Sequence, residues 1–335
     1  MLHQRVVHGP YQGTDQTVSL IIRTVVGRLN FLDQALFSIV CSSHTEIEVL
    51  IVVQSEHDDY YREVLYLVQS YLRSGLEVKV LQNNTHRDER AKNLNLGISS
   101  ATGRYIGFLD DDDVLYPHHL STLIKVLEKH PNIAWVYSDA LATFCDVDAT
   151  GNLYIKSRQC LFKRAGFSYL ELWDDNFIPL HSYLIDRSRL GREMIQFNES
   201  FTMLEDYAFL LKLAVNYPPM YHPEVTCEYR FRMDGSNSTC LSNEKNGVTD
   251  LEKQQRWETA RAQITLVKKE ISRSWTFMER VRFRLNQVNI KLLSSRRRIA
   301  SLSKRSIGKS RRIVSLILAL KTRLLRFRKA RKPIV

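Results

Sequence analysis

The chain has 335 residues, 44% hydrophobic and 25% charged, an ordinary globular composition that excludes a disordered, collagenous or disulfide-miniprotein chain. Its net charge of +12 hides two unlike parts: residues 251–335 carry 25 Lys and Arg against 4 Glu, and residues 1–250 carry 23 against 32 Asp and Glu. The chain is an acidic body with a strongly basic tail, long enough for one large domain plus an appendage.

In chain order, an apolar β-type run at 18–22 predicts a buried strand, and Leu32, Ala35, Leu36 and Ile39 recur at helical spacing. Strands follow at 48–53, 78–81, 105–109 and 134–137. Between them lie helical patterns on Val64, Leu67, Val68 and Tyr71, on Ala91, Leu94 and Ile98, and on Leu120, Leu123, Ile124 and Leu127. This alternation predicts an α/β fold with a parallel, doubly wound sheet covered on both faces. The alternation fades after about 140. One more helix, with Leu204, Ala208, Leu211 and Val215 on a face, precedes a possible strand at 226–231, and the pattern beyond about 250 is helical and basic.

Five widely spaced cysteines without a CxxC pair suggest neither a zinc knuckle nor a disulfide framework. The first 30 residues contain no basic start followed by an apolar stretch, so no secretory leader is expected and the chain reads as cytoplasmic. The longest apolar run in the tail, 313–320, falls short of the roughly 20 residues that span a membrane.

The sharpest motif is Asp110-Asp111-Asp112-Asp113, directly after the strand at 105–109. Ligands of parallel α/β sheets bind outside the carboxyl ends of strands. Four adjacent carboxylates repel one another there, and a divalent cation relieves the repulsion. Hard oxygen donors suit Mg²⁺ or Mn²⁺, with substrate phosphates completing the shell. The alternative is a solvated acidic turn. Walker A and GxGxxG patterns are absent.

Taken together, the strands at 18–22 and 47–53, the segment Arg90-Ala91-Lys92-Asn93, the acidic run, Pro117, Leu204-Glu205-Asp206 and Tyr229-Arg230 resemble a family 2 glycosyltransferase of the GT-A fold over about residues 17–240. The resemblance implies a Rossmann-like, mostly parallel sheet flanked by helices, and inverting sugar transfer from a nucleotide-diphosphate sugar. By the same resemblance Asp112 is the main metal ligand, and Asp110 and Asp111 lie at the ribose and metal-bound water. Asp206 is the general base, supported by Glu205; the plain alternative for both is acids favouring a helix start. Arg23, Thr24, Gln54, Arg90 and Lys92 are further donor-side candidates, with Arg87 a weaker one. His181, Ser182 and Trp173 are acceptor-side candidates, set against structural roles for a lone His and a core Trp. Two positions depart from the family pattern. Gln54 stands where an aspartate usually accepts from the donor's base, and Val25 or Val26 stands where an aromatic residue is common.

In the tail, Ile313, Leu316, Ile317, Leu320, Leu324 and Phe327 form an apolar stripe beside Lys321, Arg323, Arg326, Arg328 and Lys329. Such a helix suits an anionic membrane surface. Packing on the body or on a second copy, as a homo-oligomer, and nucleic-acid binding are the alternatives; the acidic body argues against nucleic acid. The expected organisation is a leader at 1–14, a GT-A domain at 15–245 and a basic amphipathic extension at 246–335. The expected protein is a metal-dependent glycosyltransferase acting on a glycan or lipid-linked acceptor at the cytoplasmic face of the inner or plasma membrane, in cell-surface polysaccharide synthesis. A non-catalytic nucleotide-sugar- or glycan-binding protein on the same fold is the rival.

Overall fold

A computed structural model of the chain describes residues 16–148, 152–233, 251–276 and 283. Four parallel strands, β1 (Val18–Val25), β2 (Ile47–Gln54), β3 (Glu77–Asn83) and β4 (Tyr105–Asp110), lie in the order β3-β2-β1-β4. Each of these predicted strands appears and runs one to three residues further toward its carboxyl end. Three helices connect them: α1 (Leu29–Val40), α2 (Asp58–Arg73) and α3 (Arg90–Ser100).

Alternate residues of one strand serve opposite faces. Val18, Leu20 and Ile22 of β1 share a core with Leu32, Leu36 and Ile39 of α1 and Val64 and Val68 of α2. Ile21, between them, faces α3, where a Cβ on Gly97 would stand 2.4 Å from Ile21 Cγ2. A glycine is what allows α3 to lie this close to the sheet. Both faces are therefore covered, which accounts for the unbroken apolar runs of β1 and β2.

Beyond β4 the chain forms β5 (Val114–Leu115), α4 (His119–Lys129), β6 (Trp135–Val147), β7 (Leu153–Gln159), α5 (Tyr169–Asp174), β8 (Tyr183–Asp186), α6 (Glu205–Asn216), β9 (Met220–Arg232) and α7 (Leu251–Arg273). The sheet continues past β4 as β8-β6-β9-β5, with β7 on β6. The expected fifth parallel strand is the start of β6, which is far longer, and antiparallel β8 separates it from β4. A parallel return needs a crossover, usually a helix. The segment after β6 turns back as β7 instead, in antiparallel pairing.

The first of two compact units ends at Ser274. Helix α7, which the sequence groups with the extension, thus belongs to the body. The apolar stripe of 313–327 lies outside the described residues, as does the leader of 1–14. No helix among the described residues is long and apolar enough to cross a membrane.

Candidate active site

The strand order changes direction at β1, with β2 on one side and β4 on the other. A crevice forms at such a switch point, outside the carboxyl ends of the strands. Here it is a cleft of about 780 Å³, lined by the ends of β1, β2 and β4 and by residues of α6, β9 and α7.

The acidic run closes β4 in a tight turn, with Asp113 N donating to Asp110 O at 3.1 Å. Each carboxylate has its own cationic or buried environment. Asp110 accepts from Arg23 Nε at 2.7 Å and Nη2 at 3.3 Å. Asp111 is buried and accepts from Arg28 Nη1 at 2.9 Å. Asp112 pairs with Arg232 and lies 3.7 Å from Arg28. Asp113 is buried, 2.9 Å from His181 Nδ1, and accepts from Arg230 N at 2.7 Å. Burial alone raises a carboxyl pKa. At Asp110 the charge and hydrogen bonds of Arg23 overcome burial and hold it below the usual range. At Asp111 burial prevails, helped by Asp112 against Arg28, and the group is pushed up to about 6. Asp113 is also pushed up to about 6, by burial first.

The second acidic pair opens α6. Leu204 precedes it in the left-handed region, at φ 61° and ψ 22°, a conformation that costs a non-glycine residue about 1–2 kcal/mol. This turn delivers Glu205 and Asp206 to the cleft. Glu205 is buried and pairs with Arg23, the same arginine that holds Asp110. Asp206 accepts from Asn176 Nδ2 at 2.9 Å. Burial first, and then the neighbouring charge of Glu205, push its carboxyl up to about 7.

Of the remaining candidates, Arg23, Thr24, Gln54 and Arg90 line the cleft. Gln54 uses its amide internally: Oε1 accepts from Glu89 N at 3.2 Å and Asn93 Nδ2 at 2.7 Å, and Nε2 donates to Arg87 O at 2.8 Å. Its place at the end of β2 pins the start of α3. Three candidates lie outside the cleft's lining. Lys92 is outside the cleft's lining, because its ammonium turns back to Glu89 at 2.8 Å. His181 is also outside the lining. It is buried beneath the acidic turn, and the Asp113 carboxylate overrides the cost of burial and raises the imidazole pKa. Trp173 is also outside the lining, packed beside Tyr169 and under the Lys268 ammonium. Sequence reasoning missed Arg28, Asn176 and Arg232, whose partners are remote in sequence, and Trp257 and Lys268 of α7, which line the cleft.

The carboxylates of Asp110 and Asp112 line the cleft and are hard donors of a kind that suits Mg²⁺ or Mn²⁺. Asp111 Oδ2 is buried and finds no hydrogen-bond donor. The donor set fits a divalent cation in type, although Arg28 and Arg232 compete for Asp112. Among the described residues, no group of three or more His, Cys, Asp and Glu is placed to hold a metal.

Residues 19–150, which hold β1 to β4 and the acidic turn, match the sequence model of Glycosyl transferase family 2. That segment, 132 of the chain's 335 residues, is similar to glycosyltransferase family 2. An uncharacterized glycosyltransferase of Haemophilus influenzae is 27% identical to this chain over 188 residues, 52% of the chain and 55% of the relative. The chain thus spans about half of that relative's length. A Campylobacter jejuni protein named as a GalNAc(5)-diNAcBac-PP-undecaprenol beta-1,3-glucosyltransferase is 27% identical over 136 residues, 41% of this chain and 40% of that protein. Among solved structures, S. aureus TarS 1-349 in complex with UDP-GlcNAc superposes with a TM-score of 0.51 at 18% identity, covering 73% of this chain and 71% of that one. This likeness gives the fold, a GT-A arrangement of α/β sheet and helices.

Proposed function

We propose that this chain is an inverting glycosyltransferase that moves a sugar from a nucleotide-diphosphate donor to an acceptor hydroxyl. The observation that carries the reading is the placement of Asp206 in the same cleft as the acidic turn after β4. An inverting transfer needs a base on the face opposite the leaving group. The carboxyl of Asp206, pushed up to about 7, is poised near neutral pH, where a base is most effective. Asp206 takes the proton of the acceptor hydroxyl as that oxygen attacks the anomeric carbon, and the bond to the diphosphate breaks on the other side. Asn176 orients the carboxylate through its amide. Arg23 ties the two acidic elements together by holding Asp110 and Glu205 at once, so donor and base are kept in one frame.

A divalent cation held by Asp112 and Asp110 would supply charge stabilisation to the leaving diphosphate. Arg90, whose guanidinium borders the cleft beside Asp88, is proposed to contact a phosphate or the ribose. The acceptor proposed is a glycan or lipid-linked glycan of the cell surface, a class suggested by the name of the Campylobacter relative. The basic tail is proposed to dock on anionic lipid at the cytoplasmic face of the membrane.

The test is release of nucleotide diphosphate from a panel of UDP-, GDP- and dTDP-sugars with Mn²⁺ and a mixed acceptor extract, followed by NMR of the product. Product of inverted anomeric configuration supports the reading. Retained configuration overturns the inverting assignment, and no release from any donor together with no nucleotide binding overturns the transferase reading.

A further inference from the structure

Helix α7 lies outside the residues that match the family, yet Trp257, Arg261 and Lys268 line the cleft. Where along the cleft each of these lies follows from their partners. Lys268 sits 5.1 Å from the ring centroid of Tyr207, the residue after Asp206, so the later turns of α7 stand at the reaction end. Arg256 pairs with Asp88, whose carboxylate also accepts from Arg90 Nε at 3.0 Å. Asp88 and Arg90 border the finish of β2 and β3, the side of β1 away from β4. The first turns of α7 therefore stand at the other end.

A bound nucleotide with its phosphates at the acidic turn must send its base to one end or the other. The reaction end holds Asp206 and Asn176 and must receive the acceptor. The base is left with the end where β2 and β3 finish. The amide of Gln54 there is already committed to Glu89 N, Asn93 and Arg87 O, and Val25 offers little flat surface. Trp257, adjacent to the latched Arg256, brings an indole to the cleft, and the Arg261 guanidinium lies over that ring at 5.6 Å. An aromatic plane beside a guanidinium is chemistry that holds a flat heterocycle attached to phosphate.

We propose that Trp257 is the stacking surface for the donor's nucleobase, held in place by the Arg256–Asp88 latch. The proposal rests on the transferase reading and adds to it a donor-affinity residue on a helix outside the segment that matches the family. Stacking accepts any base, since each has a π-face, so Trp257 supplies affinity shared among nucleotides.

The test uses the full chain. UDP and GDP are titrated by calorimetry and by tryptophan fluorescence, with pyrophosphate as the probe that lacks a base. Trp257→Ala is expected to weaken both nucleotides roughly 5- to 150-fold, the value of one base–aromatic stack, to leave pyrophosphate unchanged and to remove the nucleotide-dependent quench. Trp257→Phe, which keeps a ring, is expected to retain most of the affinity, and Arg256→Gln to weaken nucleotides to an intermediate degree. Equal weakening of nucleotide and pyrophosphate, or unchanged nucleotide affinity in Trp257→Ala, overturns the assignment while leaving the transferase reading intact. Failure of the wild-type chain to bind any nucleotide diphosphate overturns both.

Discussion

Asp110 and Asp206 are both aspartates lining one cleft, yet their environments drive them in opposite directions. Asp110 takes two hydrogen bonds from Arg23 and stays below the usual carboxylate range. Asp206 takes a neutral amide, with Glu205 beside it, and rises to about 7. Arg23 contacts Asp110 and Glu205, and its charge pulls on Asp206 only from a distance. The contrast teaches that the allotment of cations divides two carboxylates into a permanent anion and a group that can exchange a proton.

The largest effect should come from the anionic side. Asp112→Ala is expected to abolish detectable transfer in a folded protein, and to remove any dependence of nucleotide-diphosphate affinity on Mn²⁺. Turnover that persists at the wild-type rate in excess chelator would show that this carboxylate cluster does not work through a metal.

On the proton-exchanging side, Asp206→Asn should lower turnover by 10²–10⁴-fold, the usual contribution of a general base, with donor affinity retained. A variant keeping a tenth of the wild-type rate would move the base elsewhere. The same substitution has a stability signature. The folded-state pKa of about 7 lies above the unfolded value of about 3.9, so this group's contribution is fully present below pH 4. It is lost as pH rises through 7, because ionised Asp206 is resisted by its burial. The melting temperature of Asp206→Asn relative to wild type should therefore climb between about pH 4 and 7 and level off above.

The comparison sharpens further at the shared arginine. Without the Arg23 cation, Asp206 should hold its proton more tightly. Arg23→Gln is expected to move the acidic limb of the pH–rate profile to higher pH and also to raise KM for donor, through Asp110. A profile that keeps its acidic limb while only KM changes would confine Arg23 to the donor side.

The smallest effect concerns the turn that presents the pair. Leu204→Gly relieves the left-handed φ of 61°, whereas Leu204→Ala keeps the strain and loses the same side chain. Glycine should be the more stable of the two by about 1 kcal/mol, measured by denaturant unfolding. Equal stabilities would mean that the turn can relax.

Much of this contrast was visible in the sequence. The strands β1 to β4 announce themselves because burial on both faces demands unbroken apolar runs, and the two acidic clusters stand at element boundaries. Legibility failed where partners are distant. Arg232 is 120 positions from Asp112 and Arg23 is 182 from Glu205, and nothing local marks either pairing. Residue type says nothing of direction: of the acceptor-side candidates, His181 is buried under Asp113 and Trp173 packs beside Tyr169. Composition groups helix α7 with the tail because its cationic residues continue the tail's charge, while its contacts, such as Gln263 to Ser200 O at 3.0 Å, tie it to the body.

Gly97 gives the site a remote setting screw. Its missing side chain fixes the depth at which α3 seats on Ile21. The same helix begins seven residues earlier with Arg90, roughly 10 Å away at 1.5 Å per residue. Asn93, near that start, is hydrogen-bonded to Gln54 at the end of β2. A methyl group at 97 would lift α3 and carry Arg90 with it, while the anchored Asn93 resists. The proposed donor end of the cleft would be detuned by a residue outside its lining. On the proposed reading, donor affinity is thus adjustable from a residue remote from the cleft.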